Sequence, residues 1–135
     1  MQLEGKVAIV TGAATNIGRE TALLFAREGA QVIVADLNEQ DAQSTVADIG
    51  DANGEVRFVR TDVSEAEDMR ALMAAAEKMD GIDIIVNNAG AQRSGAITDF
   101  DESEWDLLMR VNPRSCFLGA KYGVPYLRER GAVPS

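Results

Sequence analysis

The sequence predicts an α/β fold, a doubly wound parallel sheet covered by helices on both faces, and three observations carry that expectation. Four short apolar runs, at residues 7–10, 31–35, 56–59 and 82–86, alternate with segments of helical periodicity. Residues 7–10 and 32–35 are apolar without interruption, the pattern of parallel strands buried on both faces. Gly12, Asp36, Asp62 and Asn88 each follow a run closely, at the strand ends where such sheets bind ligands. Right-handed crossovers between these strands give the order 3-2-1-4, with the reversal between strands one and four.

A chain of 135 residues is long enough for a single domain with a substantial core, and 46% hydrophobic residues exclude a disordered chain. The net charge of −9 argues against nucleic acid and against an anionic membrane surface as partners. An anionic cofactor remains compatible, because a helix N-terminus holds a pyrophosphate without any lysine. No apolar run approaches the length of a membrane span, and no signal peptide is expected before the first strand. Cys116 is the single cysteine, which fits a reducing cytoplasm; with no histidine in the chain, no metal site is expected.

The first helix is expected to bury Ile17, Thr21, Leu24 and Phe25 and to stop at Gly29. Asn38 caps a second helix with inner residues Ala42, Thr45, Val46 and Ile49. Residues 50–54 form a turn by composition. Ser64 with Glu67 reads as a capping box opening a third helix, whose core residues are Met69, Leu72, Met73 and Ala76. After a loop at 91–98, Asp101 caps a fourth helix with Trp105, Leu108 and Met109 on one face. Pro113 breaks or kinks it, and a further helix is expected over 115–130, weakened by Gly119, Gly123 and Pro125.

Strand, glycine-bearing turn and helix N-terminus form a phosphate cradle at residues 7–20, where free N–H groups and the helix dipole converge. Gly12 allows the tight turn and Gly18 a close helix–sheet approach. Asn16 stands between them where a small residue usually lies near the pyrophosphate, and asparagine tolerates a left-handed backbone better than other non-glycine residues. A two-glycine turn alone is also consistent with an ordinary strand–helix connection. Asp36, eighteen residues beyond Gly18, tips the reading to a dinucleotide, since its carboxylate accepts bonds from the adenosine ribose hydroxyls. The same charge repels a ribose 2′-phosphate, and neither Leu37 nor Ala14 and Thr15 supplies a cation, so NAD is preferred to NADP.

Taken together, these motifs resemble the N-terminal half of a short-chain dehydrogenase/reductase, with a Rossmann-like fold. Residues 11–18 resemble that family's cofactor motif, with Asn16 the one departure, which implies that Gly12, Thr15, Asn16, Ile17 and Gly18 meet the cofactor. Asp62 and Val63 resemble the pair at the adenine ring; Leu37 accompanies Asp36. Asn87-Asn88-Ala89-Gly90 matches the signature after strand four, implying that Asn88, Ala89 and Gly90 line the nicotinamide ribose. Asn112 resembles the asparagine of the family's catalytic tetrad. The resemblance implies hydride transfer between NAD and a small-molecule alcohol or carbonyl substrate, by a homodimer or homotetramer.

The family's acid/base is a tyrosine with a lysine four residues later, beside a serine at the substrate oxygen. No Tyr-x-x-x-Lys occurs here: Tyr122 is followed by Tyr126, and Tyr126 by Arg130. The chain is therefore expected to be a truncated enzyme, inactive alone, with residues 84–86 as a bare sheet edge. Two alternatives stand beside it. One is a non-catalytic nucleotide-binding module or half of a split enzyme. The other, a methyltransferase using S-adenosylmethionine, fits the motif at 87–90 poorly.

Overall fold

The computed structural model describes residues 1–134. The elements are β1 (Val7–Thr11), α1 (Asn16–Arg27), β2 (Gln31–Asp36), α2 (Glu39–Asp51), β3 (Val56–Arg60), α3 (Ala66–Glu77), β4 (Ile84–Val86), α4 (Glu102–Val111) and α5 (Pro113–Glu129). All strand pairs are parallel, in the order β3-β2-β1-β4. The register aligns Phe58, Val34, Val10 and Val86 across the sheet, so the segments that follow all four strands emerge along one edge.

Strand alternation divides the core in two. Ala8, Val10, Val32 and Val34 face α1 and α2. Ile9, Ile33 and Ala35 face α3 and α5, where Met69, Leu72, Met73, Ala76 and Leu118 are buried. β1 is buried throughout and β2 along its middle, whereas β3 and β4 are at most half-buried. The expected inner faces of α2 and α3 are those observed. Asn38 caps α2 by accepting from the Asp41 N–H, and Asp101 caps α4 by accepting from the Ser103 N–H.

The structure departs from the sequence pattern in four places. In α1 the buried residues are Gly18, Ala22 and Leu23; Ile17 is 76% and Leu24 53% exposed. A Cβ on Gly18 would collide with the Gly12 carbonyl and Asn88 Nδ2, so this glycine must face the sheet and sets the rotation of the whole helix. Ser64 is no cap: its N–H and hydroxyl both donate to Asp62 Oδ1, at 2.9 and 2.7 Å, and α3 starts after Glu65. The competing local carboxylate takes the serine out of the capping role. α4 buries nothing among the described residues, because it packs on α5 and leaves Trp105 60% exposed. Finally, β4 begins at Ile84 and not at residue 82, with Ile82 buried under α3.

Pro113 does interrupt the helical run. Asn112 sits at the junction with φ −84° and ψ −80°, and Pro113 opens α5 as its first residue, where a missing N–H has no consequence. The glycines that weaken α5 by propensity are needed for its packing. A Cβ on Gly119 would strike the Asn87 side chain, and one on Gly123 the Ile85 side chain. No helix among the described residues is long and apolar enough to cross a membrane.

Candidate functional site

The cleft lies at the edge where β1 and β4 end. Gly12 has φ 65° and Asn16 φ 52°, both in the left-handed region, which folds residues 12–18 into a tight arch over the start of α1. Thr15 stands at the N-cap of α1 but gives no side-chain cap, and the first turn carries no acidic residue. The opening N–H groups of α1 therefore face the cleft without a side-chain acceptor, the arrangement that favours an anion.

Three polar side chains hold this arch without closing it. Asn88 donates through Nδ2 to the Thr11 carbonyl at 3.0 Å and to the Gly12 carbonyl at 3.3 Å. Thr11, 1% exposed, accepts at Oγ1 from the Asn88 and Ala89 N–H groups, each at 3.0 Å, and donates to the Val86 carbonyl at 3.3 Å. Thr45 of α2 donates to the Ala13 carbonyl at 3.1 Å from a fully buried position. The turn after β1, the loop after β4 and the flank of α2 are thus one hydrogen-bonded unit.

Asp36 ends β2 with one carboxylate oxygen accepting from the Ala14 N–H and the other from the Asn38 N–H, both at 3.1 Å. These bonds fix the carboxylate beside the glycine turn and leave remaining acceptor capacity. Asp62 accepts from Ser64, while its own N–H donates to Asp68 Oδ2 at 2.8 Å. Val63 is buried and Leu37 is 53% exposed, so an apolar wall flanks the carboxylates.

A cleft of about 630 Å³ brings together all the residues expected at a cofactor save Gly18, which lies beneath its floor. Thr61, Ala91, Gln92 and Val111 also line it; none of them is among the cofactor residues expected from the sequence. Thr61 follows β3 as Gly12 follows β1, a positional signal that was available. Asn112 does not line the cleft. Its Oδ1 accepts from the Ala91 N–H at 2.8 Å and its Nδ2 donates to the Ala91 carbonyl at 2.9 Å, so the amide mimics a backbone partner and anchors the loop after β4 to the α4–α5 junction. A larger cleft, about 980 Å³, opens at the opposite edge around Gly29 and Gly54, away from all of these groups.

The other edge also holds a buried carboxylate that sequence reasoning missed. Asp83 accepts from the Val7 N–H at 2.9 Å and from Arg130 at 3.0 Å, with Lys6 Nζ at 3.6 Å. Burial alone would raise its pKa, but the Arg130 hydrogen bonds, the Val7 N–H and the charges of Arg130 and Lys6 outweigh it and hold the carboxyl below its ordinary value. No sequence signal links residues this far apart.

Residues 6–133 match the family described as short chain dehydrogenase. Among curated relatives, a 2,5-dichloro-2,5-cyclohexadiene-1,4-diol dehydrogenase of Sphingobium indicum is 38% identical over 131 residues, covering 96% of this chain and 52% of the relative. A 3-oxoacyl-acyl-carrier-protein reductase of Thermotoga maritima is 36% identical over 128 residues, covering 94% and 52%. Among solved structures, a hydroxysteroid dehydrogenase from Escherichia coli superposes with a TM-score of 0.91 at 33% identity, covering 96% of this chain and 55% of that one. The chain spans about half the length of the curated relatives it matches.

Proposed function

This chain belongs to the short-chain dehydrogenase family, and we propose that it forms the NAD-binding part of an oxidoreductase acting on a small alcohol or carbonyl compound. The observation that carries the reading is the cleft where β1 and β4 diverge. There the uncapped start of α1, the Gly12–Gly18 arch and the Asp36 carboxylate converge. The fit to a dinucleotide is supported by two close approaches. A Cβ on Gly18 would fill the space between arch and helix, and one on Gly12 would sit 2.9 Å from the Ala89 Cα.

NAD bound here supplies the hydride chemistry. The chain's residues bind and orient it. The opening N–H groups of α1, at Asn16, Ile17 and Gly18, receive the pyrophosphate, and Thr15 offers a hydroxyl beside them. Asp36 accepts from the adenosine ribose hydroxyls and disfavours a 2′-phosphate there. Leu37, Asp62 and Val63 border the adenine. Asn88, Ala89 and Gly90 border the nicotinamide ribose, in a loop whose position Asn112 maintains through Ala91. Asn112 is proposed as the tetrad residue on resemblance, and in this geometry its side chain acts by fixing that loop.

Hydride transfer also requires a proton donor or acceptor at the substrate oxygen, and these 135 residues hold no Tyr-x-x-x-Lys. A second reading for these residues by themselves is a non-catalytic NAD-binding module or one half of a split enzyme. The remaining proposals rest on less. The free thiol of Cys116 fits a cytoplasmic setting, and the exposed Trp105, Met109 and Phe117 on α4 and α5 fit a homodimer or homotetramer. NADH fluorescence titration tests the binding claim: saturable NADH binding supports it, and failure of both NADH and NADPH to bind contradicts it.

A further inference from the structure

The glycine arch has a second concavity on its outer side. Thr15, Asn16, Arg19, Gln40, Asp41 and Ser44 bound a shallow groove of about 540 Å³ between the N-terminal ends of α1 and α2. Ala14 also lines it, and the Ala14 N–H is the group that donates to Asp36 Oδ2 at 3.1 Å. The groove therefore adjoins the carboxylate placed at the adenosine ribose, and a phosphate on that ribose would enter it.

Arg19 is the one cation bounding this groove. Its guanidinium is drawn elsewhere: Nη2 hydrogen-bonds Asp48 Oδ2, and Nη1 lies 3.4 Å from Glu20 Oε1. α2 starts at Glu39, so Asp48 lies about 13 Å down the helix axis from the end of α2 beside Asp36, and one turn beyond Ser44 at the far side of the groove. The Arg19 side chain is only 25% exposed, laid along the α1–α2 contact with its charge toward that distant carboxylate. Asp41 lines the groove, and Asp36 adjoins it through the Ala14 N–H.

We infer that Asp48 is a positioning residue for cofactor choice: by pairing with Arg19 it draws the groove's guanidinium down α2, away from the end beside Asp36, so a ribose 2′-phosphate meets carboxylates there. The inference rests on the dinucleotide reading of the main cleft. It divides discrimination against NADP into two physical parts, repulsion by Asp36 and withdrawal of Arg19. A guanidinium freed of Asp48 keeps only the long contact to the exposed Glu20 and can turn to bind phosphate through two parallel hydrogen bonds, so its release should be felt even with Asp36 in place. The pair is half solvent-exposed at Asp48, which limits its strength and hence the size of the effect.

The test is equilibrium titration of NADH and NADPH against the wild-type chain, Asp48→Asn, Asp48→Glu and the double variant Arg19→Ala/Asp48→Asn. Asp48→Asn should tighten NADPH by about three- to tenfold, with NADH changed less than about twofold. Asp48→Glu, which retains a partner for Arg19, should keep the wild-type ratio, and the double variant should lose the gain. Unchanged NADPH affinity in Asp48→Asn, with NADH binding intact, overturns the inference. So does a gain that survives in the double variant, since that is a general charge effect. If the wild type binds neither nucleotide, the cofactor reading itself fails and takes this inference with it.

Discussion

The two edges of the sheet treat polar groups in opposite ways. At the edge where the strands end, Thr11, Thr45 and Asn88 are neutral, and each is hydrogen-bonded to backbone of a neighbouring segment. At the edge where the strands begin, Asp83 meets Arg130 and Lys6. The neutral network holds the arch in shape while leaving the N–H groups at the start of α1 unopposed by any fixed acid in that turn. The charged cluster ties the last turn of α5 to β1 and β4. One edge leaves helix N–H groups without a side-chain acceptor, and the other neutralises its own charge.

Breaking the arch should have the largest effect. Gly18→Val forces a branched side chain against the Gly12 carbonyl and Asn88, and should abolish NADH binding while lowering unfolding free energy by about 3 kcal/mol in urea denaturation. Thr11→Val comes next. It leaves the Ala89 N–H without its acceptor and the Asn88 N–H with the Val86 carbonyl alone, and should lower stability by about 2 kcal/mol and weaken NADH binding together.

The other edge should respond to acid and not to nucleotide. Asp83 has its folded-state pKa below the ordinary 3.8, so its stabilising contribution is complete above that value and is lost as pH falls through the folded pKa. Asp83→Asn should reduce stability at pH 7 by about 1–2 kcal/mol, leave NADH affinity unchanged and flatten the loss of stability below about pH 4. If Asp83→Asn weakens NADH binding as strongly as Thr11→Val does, the division of labour between the edges is wrong. The smallest effect belongs to Trp105→Ala on α4, where an exposed side chain in this chain should change stability by less than about 0.5 kcal/mol.

Much of this was legible in the sequence because it is local. The strand runs, the faces of α2 and α3, the Asn38 and Asp101 caps and the left-handed Asn16 follow from residues within a few positions of one another. The placement of Gly12, Asp36, Asp62 and Asn88 along one edge follows from strand order alone. What was misread depends on distant partners. The rotation of α1 is decided by Gly18 against Gly12 and Asn88, so the apolar spacing of Ile17 and Leu24 pointed to the wrong face. Ser64 is the local exception, a capping pattern pre-empted by the Asp62 carboxylate two residues away. The Asp83–Arg130 pair and the direction of Arg19 depend on contacts across dozens of residues. Asn112 could be named by resemblance, but its attachment to Ala91 is visible only in three dimensions.

The central claim is that the cleft holds NAD with Asp36 at the adenosine ribose. Titration of the wild type and Asp36→Ala with NADH and NADPH tests it most directly. The account predicts tighter binding of NADH than NADPH by the wild type, and in Asp36→Ala a loss of about tenfold for NADH with the preference narrowed or reversed. Tighter NADPH binding by the wild type, or an unchanged ratio in the variant, would contradict it.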